Sequence, residues 1–141
     1  MIVLAYDHRG YKLMTKIKTY LEKQGLEYIE YASKEYDGKD SYSHFAKQAN
    51  QKILEDVENR GIYCCRTGIG ICMTANRVKG IRAGLCKDNR TTFLARNDDD
   101  INVLCISGEI GFCKAKKMVD TFLNTPFEGG RHIARLEELD K

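Results

Sequence analysis

The sequence predicts an α/β fold: a single-domain three-layer α/β/α sandwich on a five-stranded parallel Rossmann-like sheet, with a C-terminal arm. Three observations predict it. Short, mostly apolar runs recur five times, as strands buried on both faces of a parallel sheet must. Stretches with apolar residues at helical spacing lie between them. The length of 141 residues suits one ordinary domain and leaves no comfortable room for two.

Taken in order, Ile2 to Tyr6 reads as the first strand. Gly10 to Lys23 carries Leu13, Ile17, Tyr20 and Leu21 on one helical stripe, and Gly25 follows as a left-handed exit. Glu27 to Tyr31 is the second strand, and the polar stretch Lys34 to Ser43 is a loop. Phe45, Ala49, Ile53 and Leu54 mark a helix running to about Glu58. Gly61 to Cys65 is the third strand, followed by the turn Thr67-Gly68-Ile69-Gly70 and a short helix through Met73 and Ala75. Ile81 to Cys86 is the fourth strand, Thr91 to Arg96 a helix, Val103 to Ser107 the fifth strand and Cys113 to Leu123 a further helix. After Pro126, the only proline, the chain is too polar for core, so 126–141 is expected to be a solvated helix or an arm laid on another subunit.

Composition narrows the function. Hydrophobic residues make up 43% and charged residues 30%, with a net charge of +3 spread over mixed acids and bases. That excludes a disordered tail and argues against a nucleic-acid arm. No run approaches the roughly eighteen apolar residues of a membrane span, and no basic leader opens the chain, so a cytoplasmic protein is expected. The six cysteines form no C-x-x-C pair and the three histidines are scattered. The cysteines are therefore expected to be mostly buried free thiols, and no metal site is predicted.

In an open parallel sheet, ligands bind beyond the carboxyl ends of the strands. The strongest candidate there is Cys64-Cys65-Arg66-Thr67-Gly68-Ile69-Gly70, a thiol at a strand end beside a glycine turn that opens a helix. Such a turn can cradle an oxyanion and favour a thiolate. The bland reading, that Cys65 is core, weighs about equally on spacing alone. Asp7-His8 after the first strand can bind hydroxyls or move protons, although taken alone Asp7 reads better as a helix cap. Arg131 and Arg135 lie four apart with His132 beside them, a fork for a phosphate or simply a solvated face. The acidic run Asp98-Asp99-Asp100 reads as a solvated cap ahead of the fifth strand. Asp98 would become a useful acid if its neighbours raised its pKa.

Together these blocks carry a resemblance. The order Asp-His-x-Gly, Cys-x-Thr-Gly-Ile-Gly, Ala-Asn-Arg-Val-Lys-Gly-Ile-Arg-Ala, Asn-Val-Leu and Thr-Pro-Phe-Glu-Gly-Gly-Arg-His-x-x-Arg covers Asp7 to Arg135. It resembles the type B ribose-5-phosphate isomerase family, which includes the galactose-6-phosphate isomerase subunits. The resemblance implies an aldose–ketose isomerase working through a cis-enediolate, with no metal or cofactor. It implies that Cys65 is the base, that Thr67, Gly68, Ile69 and Gly70 hold the enediolate oxygens, and that Asp7 and His8 bind the sugar. Arg131 and Arg135, with His132 between them, match phosphate ligands delivered from a neighbouring subunit, hence a homodimer or tetramer with shared sites.

The sequence also departs from that family. Arg96-Asn97-Asp98-Asp99 stands where Arg-x-His-Asn is usual, placing Asp98 at the ring-opening histidine and Asp99 at the asparagine. Ser107-Gly108-Glu109 replaces a glycine-glycine-arginine that binds phosphate, and Arg66 replaces a small residue. Arg66 is expected to supply part of the missing positive charge. These changes bear on the substrate more than on the reaction type. The alternatives to ribose 5-phosphate are galactose 6-phosphate, allose 6-phosphate, an unphosphorylated sugar, or a role as a non-catalytic sugar-phosphate-binding subunit.

Overall fold

The computed structural model describes residues Met1–Lys141. Five strands, β1 (Ile2–Tyr6), β2 (Tyr28–Tyr31), β3 (Arg60–Cys65), β4 (Ala83–Leu85) and β5 (Val103–Ser107), form one parallel sheet in the order β2-β1-β3-β5-β4. Six helices accompany them: α1 (Tyr11–Lys23), α2 (Tyr42–Ile53), α3 (Ile69–Ala75), α4 (Asn89–Asp99), α5 (Phe112–Asn124) and α6 (His132–Glu137).

Two cores form because strand side chains alternate between faces. Leu4, Ile62, Cys64, Leu104 and Ile106 meet the apolar stripes of α1 and α5. Val3, Ala5, Tyr63, Cys65, Val103 and Cys105 meet α2 and α3. The adjacent thiols Cys64 and Cys65 therefore serve opposite layers. All six cysteines are free, four of them buried.

The expected elements are present, with shifts that local chemistry explains. The α2 helix starts at Tyr42 and stops at Ile53 rather than running to Glu58. It stops because the Asp56 side chain accepts from the Glu58 N–H at 2.8 Å and Asn59 donates to the Lys52 carbonyl at 2.8 Å, folding the chain into a turn. The β4 strand is only three residues long. Ahead of it the Arg82 N–H bonds the Asn102 side chain at 2.8 Å, not a ladder carbonyl. The acidic run stands ahead of β5 and supplies a cap there, but of the three carboxylates only Asp99 is exposed. Asp98 and Asp99 complete α4, and Asp100 caps it in the left-handed conformation, with φ 45°.

The chain passes from β1 through α1 to β2 on one side, then crosses back through α2 to β3 on the other side of β1. The carboxyl ends of β1 and β3 thus bound the switch point of the sheet, where an open α/β sheet leaves a crevice for a ligand. No helix is long and apolar enough to cross a membrane.

Candidate active site

Asp7 and His8 leave β1 at that crevice. Asp7 is buried, and its carboxylate accepts from the N–H groups of Arg9 at 3.0 Å and Gly10 at 3.3 Å. It fastens the turn that leads into α1 but does not cap that helix, since Gly10 stands at the N-cap with no side-chain cap bond. Burial raises its pKa, outweighing those two donors, which act to lower it. His8 is gripped from a distance: its N–H and its Nδ1 both meet Asp40 Oδ1, at 2.8 and 2.9 Å. The other oxygen of Asp40 accepts from Ser33 Oγ at 3.0 Å. An ionised carboxylate only accepts, so the proton of a neutral His8 sits on Nδ1 and Nε2 is left as the free acceptor. Asp40 was not among the residues singled out from the sequence, since it lies in a polar loop 32 positions from its partner.

Cys65 ends β3 across the crevice, with 4% of its surface exposed. Three ties hold its carbonyl and the loop beyond. Gly108 donates to the Cys65 carbonyl at 2.8 Å, Ser107 Oγ to the Arg66 carbonyl at 2.7 Å, and the Ile69 N–H to Thr67 Oγ1 at 3.2 Å. Gly68 stands at φ 80°, and a Cβ there would lie 2.9 Å from the Ile106 carbonyl oxygen. Only glycine lets the chain turn into α3 so close to β5. The first N–H groups of α3 have no carbonyl of their own helix to bond, so the turn presents donors beside the thiol.

Arg66 does not stand as a free cation at this rim. Its Nε lies 2.9 Å from Glu109 Oε1, with both side chains exposed. The position where the resemblance leads one to expect a phosphate arginine is therefore bonded to the residue expected to compensate for it.

The remaining predicted residues gather elsewhere, where α4 ends and α6 begins. Asp98 Oδ1 accepts from Asn97 Nδ2 at 2.8 Å and lies 3.7 Å from His132 Nε2, which also lies 3.2 Å from Glu128. Asp100 turns away to Arg82 at 3.0 Å and Arg96 at 2.8 Å. Asp99 lines a groove of about 690 Å³ with Arg82, Leu136 and Arg135. The three carboxylates thus take three different surroundings instead of packing on one another. The arm touches its own chain: His132 is buried, while Arg131 and Arg135 remain exposed. No hydrogen bond or ion pair joins this group to Cys65, Thr67, Asp7 or His8, and the groove reaches Leu85 and Cys86 but not Cys65.

A thiol, a donor-lined turn and a carboxylate–imidazole pair at the switch point of a parallel sheet define a class: an α/β protein equipped for proton transfer on a small polar ligand. The model of the ribose/galactose isomerase family matches residues 2–139, and the chain belongs to that family. It is 40% identical to the probable ribose-5-phosphate isomerase B of Mycoplasma pneumoniae over 139 residues, 98% of this chain and 91% of that protein. It is 34% identical to the ribose-5-phosphate isomerase B of Escherichia coli, over 98% of this chain and 93% of the relative. Among solved structures, a ribose 5-phosphate isomerase of Thermotoga maritima superposes with a TM-score of 0.94 at 39% identity, over 99% of this chain and 96% of that one. The ribose-5-phosphate isomerase B of Mycoplasma genitalium, solved with bound ribulose-5-phosphate, superposes with a TM-score of 0.93 at 36% identity, over 98% and 92%.

Proposed function

We propose that the protein is an aldose–ketose isomerase that interconverts ribose 5-phosphate and ribulose 5-phosphate in the cytoplasm. The observation that carries this reading is the placement of Cys65 beside the Thr67–Gly70 turn, facing Asp7 and His8 across the switch point, in a chain of this family. A thiolate at Cys65 takes the proton from C2 of the open-chain aldose. The electrons move onto the carbonyl oxygen, giving a cis-enediolate; the thiol, in exchange with solvent, returns a proton at C1, and the C2 hydroxyl proton passes to the C1 oxygen to form the ketose. Charge develops on the enediolate oxygens, where Thr67, the N–H groups of Gly68 and Gly70, and the Ile69 N–H once it leaves Thr67 Oγ1 stabilise it. Asp7 and His8 hold sugar hydroxyls, with His8 Nε2 as the acceptor that Asp40 leaves free.

The second half of the site comes from a neighbouring copy in a homodimer or a larger assembly. Arg131 and Arg135 bind the phosphate dianion there, flanked by His132. Asp98, when protonated, gives its proton to the ring oxygen as the sugar opens, and Asp99 binds beside it. The separation of these residues from Cys65 within one chain, together with the exposure of both arginines, supports sharing.

Exchange in deuterium oxide tests the reading. Purified protein is incubated with ribose 5-phosphate, galactose 6-phosphate, allose 6-phosphate and free ribose, and deuterium is followed by NMR. Incorporation at C2 of ribose 5-phosphate or C1 of ribulose 5-phosphate is expected. Exchange only on another sugar would move the substrate, and binding without any exchange would leave a binding subunit.

A further inference from the structure

We infer that Asp98, Glu128 and His132 form a binding site for one divalent transition metal ion, of the zinc type, that fastens the C-terminal arm to α4. The three side chains offer two carboxylate oxygens and one imidazole nitrogen within 4.8 Å of one another. Nitrogen and oxygen ligands at about 2.0–2.1 Å from a tetrahedral zinc stand about 3.3 Å apart. His132 Nε2 lies 3.2 Å from Glu128 Oε2 and 3.7 Å from Asp98 Oδ1, which brackets that edge.

The convergence is built by the chain around it. Asn97 Nδ2 donates to Asp98 Oδ1 at 2.8 Å and to Glu128 Oε2 at 3.0 Å, drawing two carboxylates together against their repulsion. The Glu128 N–H donates to the Asn97 carbonyl at 2.9 Å, pinning the segment to α4. Gly129 and Gly130, at φ 74° and 60°, turn the chain so that α6 carries His132 back over Glu128. The His132 side chain is only 7% exposed, whereas those of Asp98 and Glu128 are 35% and 51% exposed. The imidazole is thus held from below while the oxygens leave an open face, through which an ion can enter and keep a water as its fourth ligand. Imidazole with carboxylate suits zinc, cobalt or nickel better than calcium or magnesium.

The ion takes no part in moving the proton between C2 and C1 at Cys65, but it holds Asp98, the proposed ring-opening acid. Its consequence for that chemistry rests on the proposed isomerase reading: fastening α6 would orient Arg131 and Arg135 toward the neighbouring site and withhold Asp98 from proton donation. The site itself is tested without any substrate. Protein stripped with a chelator is titrated with Co²⁺, read by its visible d–d absorption and by melting temperature, for wild type, Glu128→Gln, His132→Gln and Asp40→Asn. One ion per chain is expected, without thiolate charge-transfer bands, weakened about tenfold or more in Glu128→Gln and His132→Gln and unchanged in Asp40→Asn. The metal-dependent rise in melting temperature should disappear with it. No binding, binding that survives both variants, loss in Asp40→Asn, or a thiolate spectrum would overturn the assignment. Should His132→Gln fail to fold, Glu128→Gln decides alone, because that side chain is half exposed. Absence of isomerisation would leave this result standing.

Discussion

Arg66 and Glu109 close a 2.9 Å ion pair across the carboxyl ends of β3 and β5, beside the loop that carries Cys65. Both side chains are about two-thirds exposed, so the pair adds little to stability. Its weight falls on charge, because Glu109 offsets Arg66 at this rim of the crevice. Glu109→Gln is expected to lower KM for ribose 5-phosphate severalfold while shifting stability by less than about 0.5 kcal/mol. Arg66→Gly should raise KM, and an unchanged KM in that variant would remove Arg66 from phosphate binding. Steady-state kinetics and urea denaturation measure both.

Cys65→Ser replaces the thiol with a hydroxyl of nearly the same size, a far weaker base. The turnover rate is expected to fall by about 10²–10⁴-fold, as when a positioned general base is lost. The fold should persist, judged by circular dichroism and melting temperature. Full activity in this variant would exclude Cys65 as the base.

Asp7 links stability to pH. Burial raises its pKa in the folded chain above the value of an unfolded aspartate. Its contribution to stability is therefore fully present below the unfolded value, about pH 4, and is lost as pH rises through the raised folded value. Asp7→Asn keeps an oxygen for the Arg9 and Gly10 N–H groups and removes the charge. The variant is expected to melt higher than wild type at neutral pH, with the difference vanishing below about pH 4. Its KM should rise. A variant less stable than wild type at neutral pH would show that the charged carboxylate holds the turn.

Arg96 ties α4 to the end of α5 and to the approach to β5. It is buried, and its guanidinium donates to the carbonyls of Ile101 at 2.6 Å and Thr125 at 3.3 Å and pairs with Asp100 at 2.8 Å. Arg96→Met fills the space and strands those acceptors. The expected loss is about 3 kcal/mol, read as a lower urea midpoint at constant slope. A loss near zero would mean that the Arg96 bonds to Ile101, Thr125 and Asp100 do not hold this part of the fold together.

Much of this molecule was legible in order along the chain. Strands such as Ile2–Tyr6 and Val103–Ser107 fall where apolar runs predict them, because a strand buried on both faces has no other pattern available. Gly25 stands in the left-handed conformation at the helix exit its position announces, and Gly68 lies in the turn its block predicts. The candidate site was partly legible for a similar reason. Cys65 to Gly70 is one continuous segment, and a strand-end thiol followed by a glycine turn carries its geometry with it.

What sequence alone determined is therefore the set of local pieces: the alternation of strands and helices, the turn beside Cys65, and the resemblance that those blocks carry. Only the tertiary structure decided which pieces meet. Asp40 reaches back to His8, Glu109 cancels Arg66, and the three successive carboxylates from Asp98 to Asp100 part toward His132, a groove and two arginines. Period and turn chemistry are written within a few residues. A partner 32 or 43 positions away is set by the sheet order and by helix packing, which bring distant charges together with no mark in the local sequence.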